Sequence, residues 1–397
     1  MIGLGSMIGA GVFAAIGPAA RVAGNALLVG LAIAALVAYC NATSSAQLAA
    51  VYPESGGAYV YGRRRLGPFW GYLAGWGFVV GKLASCAAMA LTFAHYAAPS
   101  VARPLAITAV VVLTAVNYVG IKKTALLTRL IVVLVLLALA TVIAAVLLGG
   151  DLDAGRLYPV DDVGPYAALQ AAGLLFFAFA GYARLATLGE EVVDPARTIP
   201  RAIPLALGIT LLVYVAVAVS ALLALDAASL GATAAPLAAA VEAGSLAWLA
   251  PAVRIGATVA SLGVLLSLIV GVSRTVFAMA DNRDLPHFFA FVHPRFRVPH
   301  RAEVAVGAVV VAIVAIADVR SAIGFSSFAV LLYYAVTNAA ALTLPAEQRR
   351  WPRPVAVIGL IGCLAIAASL PVRSVAIGAA VLAVGCIVYL IRRADRR

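Results

Sequence analysis

Residues 3–13 read Gly3-Leu4-Gly5-Ser6-Met7-Ile8-Gly9-Ala10-Gly11-Val12-Phe13, with four glycines among nine consecutive positions of an otherwise apolar run. Each glycine inside a helix costs about 1 kcal/mol relative to alanine, so this run is where a membrane-spanning helix is expected to break. Much later, Phe176-Phe177-Ala178-Phe179-Ala180-Gly181-Tyr182 places a glycine inside another apolar run. Gly9 and Gly181 lie 172 positions apart, the length of about five spanning helices with their connections. Five is odd, so a second five-helix unit headed by the later run would enter the membrane upside down. Paired interrupted helices at matching places of two inverted halves point to the central site of a transporter.

The rest of the chain fits a membrane interior. Of 397 residues, 64% are hydrophobic and only 11% charged, against roughly 25% charged in soluble domains. Twelve apolar stretches are near the ~20 residues that a spanning helix requires. They lie at 1–20, 25–49, 68–96, 104–120, 125–148, 167–189, 202–225, 251–280, 303–318, 322–344, 354–370 and 374–391. They fill the chain, which excludes a lone signal peptide, and they lack the short alternating segments of a β-barrel. The semi-apolar stretch 226–250 reads as a short helix lying on the membrane surface.

A net charge of +12 invites a nucleic-acid reading. The distribution of the charge argues against one. With the N-terminus placed inside, 19 of the 28 basic residues fall in loops on the cytoplasmic side, 6 in external loops and 3 (Lys82, Arg184 and Arg274) within helices. That asymmetry is an orientation signal. An even number of spans then puts both termini in the cytoplasm of a plasma membrane protein, with lipid as its surroundings and no nucleic acid as partner.

Enzyme signatures are missing. The sequence has no HExxH, no Walker A and no metal-type histidine spacing, so no catalytic residue, cofactor or metal is expected. Cys40, Cys86, Cys363 and Cys386 lie in apolar spans and read as small packing residues. Asn41-Ala42-Thr43 matches a glycosylation sequon but lies inside a span. Gly5-x-x-x-Gly9 and Gly71-x-x-x-Gly75 have the small-residue spacing of close helix packing.

A broken helix at mid-membrane frees N–H and C=O groups that lipid cannot satisfy, so they must face water, protein or a ligand. Half-helix N-termini suit a carboxylate, and freed carbonyls suit an ammonium group. One broken pair can therefore hold a zwitterion without a charged side chain. The alternative is close packing by the glycines at both places.

The stretch Phe176 to Ile203, FFAFAGYARLATLGEEVVDPARTIPRAI, resembles the sixth-helix signature of the amino acid–polyamine–organocation permeases. Gly9-Ala10-Gly11-Val12-Phe13 is similar to their first-helix motif, and Pro53-Glu54-Ser55-Gly56-Gly57-Ala58-Tyr59 to the loop after their second helix. Arg274 through Pro286, with Asp284-Leu285-Pro286, is similar to the end of their eighth helix. The resemblance covers residues 1 to about 345. It implies an all-α integral membrane fold of about twelve helices. Residues 1–148 and 165–345 would form a five-plus-five inverted repeat, followed by two additional C-terminal helices over 353–392.

The resemblance also implies roles. Amides of Gly9, Ala10 and Gly11 would hold the substrate carboxylate, and carbonyls of Met7, Phe177 and Ala180 the ammonium. Phe177 would close over the substrate as an aromatic gate, and Tyr182 could line the cavity. Many relatives carry a fifth-helix lysine where this chain has Val135, and an acidic residue two positions after the sixth-helix glycine where it has Ala183 and then Arg184. Lys82, deep in the third span, is expected to take the cationic or proton-titrating role that Val135 cannot. Arg184 would meet Glu190 or Glu191 at the inner mouth.

The function expected is a secondary transporter of amino acids working by alternating access, proton-coupled or exchanging. A carrier of polyamines or other amines would want carboxylates in the cavity, and no mid-span Asp or Glu is evident. A membrane sensor would need an output domain, and a channel a filter motif. The first helix has only about five residues before its break. A start upstream of Met1, or a truncated paralogue, is the expectation from that shortness.

Overall fold

The computed structural model describes residues 8–54, 56–120, 125–158, 164–182 and 195–394. Those residues are helical throughout, with turns between helices and no strand. An apolar run in hydrocarbon has no water to hydrogen-bond its backbone, and a helix satisfies every interior amide from within.

In chain order the helices are α1 (Gly11–Ala23), α2 (Leu27–Val51), α3 (Ala58–Arg65), α4 (Pro68–Ala97), α5 (Ala102–Tyr118), α6 (Ala125–Gly149), α7 (Pro165–Phe179) and α8 (Pro195–Ala224). They continue as α9 (Ala227–Ala232), α10 (Pro236–Glu242), α11 (Ala250–Asp281), α12 (His300–Ile316), α13 (Val319–Leu342), α14 (Arg353–Ser369) and α15 (Val372–Ala394). Without the short α3, α9 and α10, twelve long helices correspond one to one with the twelve apolar stretches. Eight segments among the described residues are long and apolar enough to cross a membrane, counting α1 and α2 as one. The helices that are too short alone include α1, with 13 residues, and α7, with 15. They are the two beside the glycine breaks.

Two boundaries differ from the sequence reading. α8 begins at Pro195, ahead of the expected 202, because its first turns include Arg197 and Arg201 and hydropathy begins only beyond them. Proline at the first helical position fixes φ at a helical value and loses no hydrogen bond there. The stretch 226–250 forms two short helices instead of one. Asp226 caps α9 by accepting from the Ser229 amide at 2.9 Å and the Ser229 hydroxyl at 2.7 Å, and Pro236 starts α10 anew. The Ser229 contacts also hold the Asp226 carboxyl below the usual carboxylate range.

The packing separates two groups of helices. α1, α2, α7 and α8 pack on one another, and so do α4, α5, α11 and α12. α6 joins α11 to α8, while α13 lies along α4 and is backed by α14. α4 is the central member. Gly81 comes so close to α13 that an added Cβ would stand 2.9 Å from Ala329 Cβ. At its start, Gly71 lies under α3: a Cβ there would be 2.7 Å from the Arg63 amide nitrogen and 2.8 Å from the Tyr59 carbonyl oxygen. At Gly75 the obstacle is the Tyr59 ring at 2.8 Å. The Gly71-x-x-x-Gly75 spacing is thus a seat for α3.

That seat predicts the cost of filling it. Gly71→Leu should destabilise the protein by about 1–3 kcal/mol, the usual range for overpacking. Thermal unfolding of the purified protein in detergent measures it; an unchanged melting temperature would mean that α3 is not held at this glycine.

Candidate functional site

The first break lies at Ile8, Gly9 and Ala10, which form a bend and turn before α1 starts at Gly11. The first helical bond here runs from the Ala14 amide to the Ala10 carbonyl at 3.2 Å. Amides ahead of Ala14 therefore precede the helix's own ladder, and with the helix dipole they form a positive end. Ala10 offers no side-chain cap.

The second break follows α7. Its last turn passes into a tight 3₁₀ turn over Ala180–Tyr182, with the Ala180 amide bonded to the Phe176 carbonyl. This is a helix C-terminus, where carbonyls lack helical partners and the partial charge is negative. One of them has been captured: Tyr214 of α8 donates to the Ala178 carbonyl at 3.1 Å.

The two breaks adjoin through α1 and α7. A Cβ on Gly11 would lie 2.7 Å from Ala178 Cα, which brings the two backbones into direct contact. A Cβ on Gly9 would lie 2.8 Å from Val264 Cγ2 of α11, a member of the other helix group. Close packing, one of the two readings of the first-helix glycines, is what Gly9 and Gly11 show here.

Around this junction the side chains are aromatic and apolar. Phe176 is fully buried, edge-on to Tyr334 of α13 with ring centres 5.9 Å apart. Phe177 is only half-buried, unlike its neighbours Phe176 and Ala178. Ala10 and Ala180 are buried. Tyr96 of α4 donates to the Phe13 carbonyl at 3.1 Å and meets the Phe13 ring edge-on.

Lys82 is 7% exposed on α4. Its Nζ lies 5.9 Å from the centre of the Phe78 ring, and it forms no ion pair among the described residues. Phe78 in turn packs on Tyr333 of α13 at 5.4 Å. Met7, Arg184, Glu190 and Glu191 lie outside the described residues, and Tyr182 is described in its backbone only.

Sequence reasoning missed a second constellation, on the arginine-rich face. Asp284, just past α11 and 4% exposed, accepts from the Tyr59 hydroxyl at 2.7 Å and from Arg63 Nη1 at 2.5 Å. Arg63 also donates to the Tyr59 hydroxyl at 2.7 Å, closing a triangle. Burial and the neighbouring carboxylate push the Tyr59 phenol above its ordinary range, so it remains a donor. Asp284 is aimed by an unusual helix end. The Asp284 amide reaches back to the Met279 carbonyl at 2.7 Å, and Arg283 takes a left-handed φ of 60° where glycine is the common choice. α3 and the end of α11 are thereby tied together. The signal that could have found it was the pairing of two quoted motifs, the Tyr59 loop and Asp284-Leu285-Pro286. Nearby, Glu54 pairs with Arg64 at 3.0 Å.

Two helix termini of opposite partial charge thus adjoin inside a bundle of helices, most of them long and apolar enough to cross a membrane, which is the architecture of an integral membrane protein. The family model of amino acid permeases matches residues 1–391, and the chain belongs to that family. Its relatives include a protein of Mycobacterium tuberculosis described as an uncharacterized transporter, 62% identical over 99% of this chain and 89% of that protein. The branched-chain amino acid permease BcaP of Bacillus subtilis is 26% identical over 76% of this chain and 70% of its own length. Human cationic amino acid transporter 4 is 27% identical over 89% of this chain and 59% of its own length.

The Tyr59–Arg63–Asp284 triangle predicts non-additive mutants. Asp284→Ala and Arg63→Ala should each lower thermal stability in detergent, and the double variant should lose less than their sum, by about 0.5–3 kcal/mol. Strict additivity in that cycle would mean the triangle does not act as a unit.

Proposed function

We propose that this permease is a secondary transporter that carries amino acids across the plasma membrane by alternating access, with both termini in the cytoplasm. The observation that carries the reading is the pair of breaks beside Gly11 and Ala178, a positive helix end and a negative one in contact. An amino acid's carboxylate and ammonium group are the natural complement of such a pair. Further support comes from the family, and from relatives whose names specify branched-chain and cationic amino acids.

In this reading, residues 1–148 and 165–345 are the two inverted halves, with 353–392 as an appended pair of helices. Amides of Gly9, Ala10 and Gly11 hold the carboxylate, and carbonyls of Met7, Phe177 and Ala180 hold the ammonium. Phe177 turns over the substrate as a gate; its half-buried ring suits a side chain that moves, where Phe176 is locked against Tyr334. α1, α2, α7 and α8 rock against α4, α5, α11 and α12, the division the packing suggests. Lys82 is the titrating group of a proton-coupled cycle or the fixed cation of an exchanger, since a buried lysine without a carboxylate is costly unless used. Tyr182 lines the cavity, and Arg184 with Glu190 and Glu191 guards the inner mouth.

Uptake of a panel of labelled amino acids into proteoliposomes, with and without an imposed pH gradient, tests this. Saturable uptake of one chemical class is expected, and Gly11→Val should reduce it at least tenfold because its side chain meets the α7 backbone. Neither uptake nor binding of any amino acid by monodisperse protein would end the proposal. Lys82→Ala should flatten the pH dependence of uptake, and normal pH-dependent transport by that variant would remove Lys82 from coupling.

A further inference from the structure

On the arginine-rich face, a cavity of about 410 Å³ opens between the start of α4 and the end of α15. Arg63, Arg392 and Arg393 line it, with Asp284 as the carboxylate among the lining residues. Arg63 is already taken by Asp284. Arg392 makes one long bond, 3.4 Å to the Arg283 carbonyl, and neither Arg392 nor Arg393 has an ion-pair partner among the described residues. Three guanidiniums against one carboxylate leave two positive charges facing the cavity. The first turn of a 30-residue helix, from Pro68, adds backbone amides and its positive dipole end. Behind the cavity, Tyr72 is completely buried and its hydroxyl has no hydrogen-bond partner among the described residues. It lies within electrostatic reach of Asp284 and Arg392.

The rest of the wall is aromatic. Phe69, Trp70 and Tyr389 line the same cavity, with the Phe69 and Tyr389 rings 5.4 Å apart and Trp70 46% exposed. Tryptophan and tyrosine collect at the level of lipid headgroups. A soluble phosphate would use the guanidiniums and leave the aromatic wall unused.

We infer that this cavity binds the phosphate headgroup of an anionic phospholipid. The lipid would bridge α15 to the α3–α4 corner.

Native mass spectrometry of the full-length chain, released from detergent with equal phosphatidylglycerol and phosphatidylcholine, tests the inference. One retained phosphatidylglycerol in preference to phosphatidylcholine is expected. Arg392→Gln with Arg393→Gln should weaken that retention roughly 25-fold, at the usual contribution of a basic residue beside anionic lipid. Arg350→Gln with Arg353→Gln removes the same charge from exposed positions outside the cavity and should leave it unchanged. Equal loss in both double variants would mean diffuse attraction and overturn the site, as would equal retention of the two lipids. Displacement of the lipid by millimolar glycerol 3-phosphate would make a soluble phosphate the ligand and overturn the lipid assignment.

Discussion

Hydrocarbon supplies no hydrogen bonds, and the rest of this structure depends on that constraint. A helix can be interrupted inside a membrane only where something other than lipid meets the freed backbone groups. Here the start of α1 and the end of α7, two places where backbone groups leave the helical ladder, are brought together at Gly11 and Ala178. α13 and α4 stand on one side of them, α2 and α8 on the other.

The same constraint governs the choice of small residues. With tails as apolar as leucine on every side, helices gain little from burying leucine and associate by close backbone approach instead. α4 shows this most fully. Its glycines admit the backbone of α3 at one end and Ala329 of α13 further along, and Ser85 meets Ser326 at 2.7 Å between them. A mast that touches so many neighbours at backbone distance has little freedom to flex, which suits an element against which others would move.

Apolar runs made nearly every spanning helix legible in the sequence, since length and hydropathy are one-dimensional properties. The helix start near Gly11 and the helix end near Ala180 were legible for the same reason: glycines weaken a helix wherever it sits. Boundaries failed where polarity and helicity part company, as at Pro195, whose charged turns extend the helix beyond its apolar part. Partnerships across the fold were the hardest to see. Nothing local to Asp284 announces Tyr59, 225 positions earlier, and the use of Arg283 in a left-handed cap is invisible without the turn it makes. Lys82 stood out by depth alone, but its neighbour Phe78 emerged only from the helix's facing.

The distance in sequence between the partners of that triangle bears on how the chain is assembled. Synthesis delivers the N-terminal parts first, so α3, with its three consecutive arginines, exists long before the carboxylate that will hold it. Until residue 284 has been made and α11 threaded, Arg63 has no counter-charge there and Tyr59 no acceptor in Asp284. The tie between α3 and the end of α11 therefore sets only after α11 is in place, whereas the seat of α3 on α4 at Gly71 and Gly75 is local. An early helix pair thus precedes its late partner, and a chain halted before α11 would carry α3 without this carboxylate.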